Sequence, residues 1–377
     1  MNKFVISSQY FLYFGVMGIF LPYFNLYCYH IGFSGYQIGL LSALRSVVMV
    51  LFSLIWGILA DRFLVRRPIY ILCNFVSMAI WSLFLYTVDY YMMIVVTICY
   101  TIFYAPLISF LEAFTMDVLG KEKKSYGRVR VWGSLSFITV VTLLGKIIGI
   151  YSIKIIIALI LAGSLIQAVV ALNIPSIANT PFSIRGETNS FITGTKAFCR
   201  KQVVIFLVCA FLMLVSHGAY YGFFSIHLEN MGYGSTFIGF AWALASSSEI
   251  MVMINSDRIF RRFSIENVLF FSFMIAGLRW LTLFFAHSPA VILISQLLHA
   301  VTYGTFHIAS ILYIDLLAPG EAKTMGQVVN NAVTYGLGMM TGFFINGYLF
   351  EITASSNLFI MSAFIAFAGG FLLKVKG

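Results

Sequence analysis

Ile31-Gly32-Phe33-Ser34-Gly35-Tyr36-Gln37-Ile38-Gly39, followed by Ala43-Leu44, decides the reading of this chain because it occurs twice. Its second copy, Met231-Gly232-Tyr233-Gly234-Ser235-Thr236-Phe237-Ile238-Gly239 followed by Ala243-Leu244, lies at a constant offset of 200 residues with no gap. Each copy joins the end of one apolar run to the start of the next. Beyond each comes an Asp-Arg pair and a basic doublet: Asp61-Arg62 with Arg66-Arg67, and Asp257-Arg258 with Arg261-Arg262. Two halves sharing such a join describe a duplicated membrane bundle, an architecture typical of carriers built from repeated halves.

The composition agrees. Of 377 residues, 61% are hydrophobic and 10% are charged, whereas a soluble domain is about 25% charged. Apolar runs of about twenty residues follow one another, each long enough to cross about 30 Å of hydrocarbon. Runs this continuous are helices rather than the alternating strands of a barrel. The net charge of +10 does not point to nucleic acid. Apart from Arg45, Lys146, Lys154 and Arg279, the Lys and Arg residues fall at the termini and in alternate loops or helix ends. One-sided basic loops set orientation, with both termini cytoplasmic. Cys28, Cys73, Cys99, Cys199 and Cys209 form no Cys-x-x-Cys pair, so neither a metal site nor a cofactor is expected. The first apolar run is too long for a cleaved leader and stays as the first span.

Twelve spans are predicted, at 8–29, 36–60, 68–88, 91–114, 131–150, 153–174, 202–228, 235–256, 266–286, 289–313, 324–349 and 355–374. Pro68, Pro175 and Pro289 fall at span edges, where proline costs little, while Pro22 and Pro106 lie inside and bend their helices. The long polar stretch from Pro175 to Lys201 separates six spans from six. The expected domains are a six-helix half at 1–174, a cytoplasmic loop at 175–201 and a second half at 202–377.

Two six-helix halves with cytoplasmic termini and a long central loop resemble the major facilitator superfamily, which implies an all-α fold of two pseudo-symmetric halves. Gly57-Ile-Leu-Ala-Asp61-Arg62, with Arg66-Arg67 beyond, resembles that superfamily's loop signature, where an aspartate and basic residues lock the cytoplasmic ends. Here the doublet comes one place late and the signature's glycine is missing. Gly57, Asp61, Arg62, Arg66, Arg67, Asp257 and Arg258 are the candidate gate residues. Against this, Asp-Arg pairs at helix ends are often only solvated charges.

Charges at membrane depth call for a partner or a job. Glu112 in the fourth span, with Tyr126-Gly127-Arg128-Val129-Arg130-Val131-Trp132-Gly133 opening the fifth, resembles the lactose permeases, where a glutamate and the second arginine hold substrate. Glu112 and Arg130 inherit that role by resemblance; the competing reading has the arginines capping the helix and binding lipid phosphate. The family's sugar-stacking tryptophan is Phe137 here. In the second half stand Ser246-Ser247-Ser248-Glu249, Leu278-Arg279-Trp280, and His299, Tyr303 and His307 spaced by four along one helix side. By the same resemblance Glu249 carries the proton, Arg279 releases it electrostatically and His299 links it to substrate, although the family's second carboxylate is Thr302 here. A carboxylic acid in low dielectric prefers to be neutral until a guanidinium approaches, and alternating those environments is what proton coupling needs. A static ion pair that merely fixes packing is the alternative.

His217-Gly-Ala-Tyr220-Tyr221-Gly222-Phe223, Leu278-Arg279-Trp280 and Leu298-His299…His307 resemble the phenylpropionate permeases, relatives of the lactose permeases. That likeness implies proton-linked uptake of small organic compounds, some of them aromatic carboxylates. Arg45 is placed to contact an anionic group, or else it snorkels or pairs with another helix. Tyr220, Tyr221, Tyr303, His307 and Phe137 are further candidates for binding substrate. The 38 phenylalanines and 21 tyrosines are expected to face mostly lipid or the interface. The polar set Gln327, Asn330, Asn331 and Thr334 reads as glue between helices, and Gly338 with Gly342 as a close crossing. Together these features imply a non-enzymatic symporter of a small organic solute, monomeric, multi-pass in a cell inner membrane, with protons and lipid as its other partners. A sugar or nucleoside symporter, an exporter and a non-translocating sensor are the alternatives.

Overall fold

The computed structural model describes residues 2–175, 200–318 and 323–374. The expected central loop at 175–201, with Arg185, Glu187 and Lys196, lies almost wholly outside the described residues. Among the described residues there are twelve long helical stretches and no strands. The first half holds α1 (Asn2–His30), α2 (Gly35–Phe63), α3 (Arg66–Leu85), α4 (Tyr90–Leu119), α5 (Tyr126–Ile150) and α6 (Ile155–Ala171). The second holds α7 (Lys201–Asn230), α8 (Ser235–Arg262), α9 (Ile265–Phe285), α10 (Pro289–Leu317), α11 (running from Lys323 to Ile352) and α12 (Asn357–Lys374). The chain is a multi-pass helical membrane protein.

The repeated join owes its sequence to helix ends. Gly32 and Gly232 take φ of +94° and +87°, a left-handed conformation that a Cβ opposes. The amides of Gly32 and Phe33 return to the carbonyls of Tyr29 and Cys28, closing α1. Ser34 then opens α2: its hydroxyl accepts from the Gln37 amide while the Gln37 side chain accepts from the Ser34 amide. One motif thus ends a span, turns and starts the next.

Proline acts unequally. Pro22 lies inside a continuous α1, whereas Pro106 splits α4 into Tyr90–Tyr104 and Leu107–Leu119. Two further segments widen into π-turns, Ala300–Thr305 in α10 and Ala332–Gly338 in α11.

The chain folds as two compact units, Met1–Phe182 with Gly232–Ala243, and Ser183–Met231 with Leu244–Gly377. In the first, α1 packs closely on α5. A Cβ on Gly18 would stand 3.0 Å from the Phe137 carbonyl oxygen, and Tyr70 and Gln167 meet around Gln9. In the second, α7 crosses α11 at backbone contact, since a Cβ on Gly218 would lie 2.5 Å from the Gly342 carbonyl carbon. Gln327 and Asn330 bond to α10 through the Ile311 carbonyl and the Ser310 hydroxyl. A minority of the aromatic residues turn inward. Tyr10, Tyr23, Tyr70, Tyr220, Phe206, Phe223, Phe224 and Phe273 are among the largest fully buried side chains. Lipid and helix neighbours are equally apolar, so close packing rather than hydrophobicity decides which face a ring takes.

Candidate functional site

Arg279 on α9 is fully buried, and its guanidinium makes four hydrogen bonds. Nε donates to the Ser295 carbonyl (3.0 Å), Nη2 to Gln296 Oε1 (3.0 Å), and Nη1 to His299 Nδ1 (2.7 Å) and Thr302 Oγ1 (3.3 Å). Its carbon lies 4.3 Å from the Tyr220 ring centre and 4.7 Å from that of Trp280. An isolated charge in this interior would cost several kcal/mol; charge-assisted bonds and two ring faces offset that cost. The Gln296 amide nitrogen is spent on the Ile292 carbonyl and Ser295 Oγ. That turns its oxygen towards Arg279 and the Tyr220 hydroxyl, which donates to it at 3.1 Å.

His299 stands between Arg279 and Glu249. Its Nδ1 faces Arg279, and its Nε2 lies 2.8 Å from Glu249 Oε1. This arrangement assigns the tautomer. A guanidinium only donates, so Nδ1 must be the acceptor, and the imidazole proton sits on Nε2, pointing at the carboxylate. A doubly protonated ring would set an N–H against the Arg279 N–H. The histidine is therefore neutral here and passes the field of Arg279 to Glu249 through one hydrogen bond. Exposure falls along the series, with Glu249 21% exposed, His299 3% and Arg279 0%. The carboxylate is the most exposed of the three.

The spacing by four yields a ladder of rings. His299 stacks on Tyr303 at 5.3 Å and 15°, and Tyr303 on His307 at 6.2 Å and 6°. The π-turn between them widens the helix, Thr305 Oγ1 reaching back five residues to the Ala300 carbonyl. That widening counters the drift a regular helix imposes on every fourth residue. His307 Nδ1 meets the Tyr335 hydroxyl at 2.6 Å, and the Tyr221 hydroxyl lies 3.4 Å from His299 Nε2. Thr302, where the lactose-permease pattern has a second carboxylate, offers Arg279 a neutral hydroxyl instead.

Apart from Asp257 and Arg258, the remaining candidates lie in the first unit. Glu112, Arg130 and Tyr126 interact mutually, and the Arg130 guanidinium packs on Phe14 (3.8 Å) and Tyr10 (5.4 Å). Phe137 is buried about two turns further along α5, its backbone against Gly18. Arg45 lies over the Phe20 ring at 4.1 Å. At the gate signature Arg66 bridges Asp61 (3.4 Å) and Asp117 (3.0 Å), while Arg67 donates to the carbonyls of Leu172 and Ile174 just past the end of α6. Leu64 occupies the place of the missing glycine with φ of +56°. Arg62 rests near Phe63, and Gly57 faces open space. In the second copy, Arg258 reaches only Asn255 and the Asp257 carbonyl accepts from Arg261. Among the described residues no ion pair involves Asp257; Lys323 pairs with Asp315 instead.

Asp117, Gln296 and Tyr335 are not singled out by the sequence. Gln296 lies three residues before His299, a spacing that shares a helix face, and could have been found that way. Asp117 could not, because its link to Arg66 spans 51 residues.

The model of the MFS_1 like family matches residues 4–361. The chain belongs to this family. It is 29% identical to the "Probable 3-phenylpropionic acid transporter" of Escherichia coli K12, over 97% of this chain and 96% of that one. It is 24% identical to the maltose permease of Geobacillus stearothermophilus, over 93% and 88% of the two chains. The crystal structure of the nucleoside transporter NupG superposes with a TM-score of 0.86 at 18% identity, covering 100% of each chain. This MFS_1-like chain is therefore a membrane transporter of the major facilitator fold, and not an enzyme.

Proposed function

We propose that the protein is a proton-coupled symporter that imports a small organic solute, favouring a small carboxylate, by alternating access. The observation that carries this reading is the buried relay from Arg279 through His299 to Glu249. A carboxylate at the half-open end of a dry, cationic chain holds a proton or releases it according to how close the guanidinium's field is brought. A conformational change that lengthens or restores the 2.7 Å and 2.8 Å contacts exchanges protonation for movement. Glu249 is the proton carrier, and His299, held neutral by Arg279, is the connector. Tyr221, Tyr303 and His307 line the same ring ladder and contact the solute, with Tyr220 holding Gln296 and Arg279 in place. Glu112, Arg130 and Phe137 are the first half's own candidates for contact with solute. Among the candidate site residues, Arg45, Arg130 and Arg279 stand against Glu112 and Glu249, an excess of positive charge that favours an anionic solute.

The Asp61–Arg66–Asp117 bridge serves as the cytoplasmic latch of the first half, 1–174; 202–377 forms the other half, joined through 175–201. The chain works as a monomer in a cell inner membrane with both termini cytoplasmic, without nucleic acid or cofactor. Proteoliposomes under an imposed pH gradient test the coupling: Glu249→Gln should lose uphill uptake and keep exchange. Wild-type accumulation by that variant sinks the assignment.

A further inference from the structure

We propose that His217 on α7 is a second seat for the N–H of His299. When Glu249 is neutralised, His299 turns its Nε2–H from that carboxyl to His217 Nε2, and it returns when Glu249 ionises. The inference rests on the symporter reading above and names the residue that frees Glu249 once it carries a proton.

His217 is fully buried beside the relay, and the relay leaves it unused. Its Nδ1 lies 2.8 Å from the Met213 carbonyl oxygen, one turn back along α7. Ser216 Oγ, 3.5 Å from the same nitrogen, spends its own proton on that carbonyl. Both oxygens therefore accept, Nδ1 carries the imidazole proton, and Nε2 is left as a lone pair. That lone pair is buried and has no hydrogen-bond partner among the described residues. A second proton there would bury an unpaired cation near Arg279, so the nitrogen is an acceptor that lacks a donor.

Four rings surround it, with centres at 5.0 Å for Trp280, 6.1 Å for Tyr303, 6.2 Å for Tyr221 and 6.3 Å for His299. The Trp280 N–H is directed to Ser216 Oγ. The Tyr303 hydroxyl is engaged with those of Tyr221 and Tyr335, and the Tyr221 hydroxyl lies 3.4 Å from His299 Nε2. Of the four, His299 alone points its N–H at a group whose charge changes in the symporter reading. Two imidazoles joined by an N–H···N bond of about 2.9 Å have centres roughly 5 Å apart, so His299 has to approach by only about 1 Å. Arg279 holds the other edge of the ring through Nδ1 at 2.7 Å and serves as the pivot.

Charge decides which seat is taken. While Glu249 is ionised, its bond to His299 is roughly twice as strong as a neutral one, and His299 stays with it at 2.8 Å. Protonation removes that advantage. A neutral carboxyl then competes with an imidazole lone pair whose burial without a donor is itself unfavourable, and the balance tips to His217. The imidazole proton stays on His299 throughout; only its acceptor changes. Glu249 leaves the relay neutral, the form in which a carboxyl moves through an apolar interior at least cost.

The test is nitrogen-15 NMR of the full-length protein in lipid nanodiscs, with its histidine rings labelled. The His217 signal is identified by its loss in His217→Phe or His217→Gln. In wild type its Nε2 should be unprotonated and free of hydrogen bonding. In Glu249→Gln, the neutral counterpart of the carboxyl, and in Glu249→Met, which removes the acceptor, it should move to lower shift, the signature of accepting a hydrogen bond. Adding His299→Asn, which keeps an acceptor for Arg279 but is too short to reach His217, should return it to the free position. An Nε2 already bonded in wild type, one that stays free in both Glu249 variants, or one that stays bonded without His299 overturns the proposal. Loss of uphill uptake in Glu249→Gln without the shift fails this proposal alone. The shift together with wild-type accumulation fails the coupling reading alone.

Discussion

The substitution His299→Asn separates coupling from binding. Asparagine Oδ1 falls near the position of the imidazole Nδ1, so Arg279 Nη1 keeps an acceptor where it now has one at 2.7 Å. The shorter side chain cannot reach Glu249 Oε1, which is 2.8 Å from Nε2. One hydrogen bond to a carboxylate is lost, worth roughly 1.5–3 kcal/mol. The ring's stacking on Tyr303 goes as well, worth about 0.5–1.5 kcal/mol. Together these come to about 2–4 kcal/mol, or roughly 30- to 1,000-fold in an equilibrium at 1.4 kcal/mol per tenfold. In proteoliposomes, accumulation driven by an imposed pH gradient should fall at least about 30-fold, while counterflow exchange, which needs no net proton release, should fall far less. Parallel loss of both would mean that His299 serves folding or binding, and an unchanged accumulation ratio would remove it from the relay.

Arg279→Leu leaves the Ser295 carbonyl, Gln296 and His299 without their donor, so the detergent melting curve should show a loss of about 3–5 kcal/mol. Gly218→Ala places a methyl 2.5 Å from the Gly342 backbone. Because backbone cannot rotate away, it should cost about 1–3 kcal/mol, and an unchanged melting temperature would contradict the close crossing. Leu64→Gly relieves a left-handed leucine at about 1–2 kcal/mol, less glycine's own entropy of about 0.5–1 kcal/mol. Thermal unfolding should therefore shift slightly upward, and a downward shift would refute the strain. Outside the spans, Lys3 beside Glu122 at 2.6 Å holds that carboxyl below its usual range. A lowered folded-state value means any contribution is present above the ordinary carboxylate range and lost as pH falls through the folded value. Lys3→Ala should return the Glu122 titration, followed by carboxyl-carbon NMR, to its ordinary position while leaving stability at pH 7 unchanged.

Sequence alone determined the class, the number and rough limits of the spans, and the duplication. Those follow from hydrocarbon thickness, from the backbone's need for internal hydrogen bonds, from the left-handed glycines Gly32 and Gly232, and from the N-cap of Ser34. Sequence also singled out Glu249, Arg279 and His299, because ionisable groups in apolar runs are rare enough to name one by one. What only the tertiary structure decided is who touches whom. The interposition of His299, the orientation of Gln296, the reach of Arg66 to Asp117 and the seat of Arg45 over the Phe20 ring all depend on side chains from different helices. Their mutual rotation is set by packing at glycine crossings and π-turns. In a bilayer every face of a helix is apolar, so the periodicity that orients helices in water is absent, and pairing becomes legible only once the helices are packed.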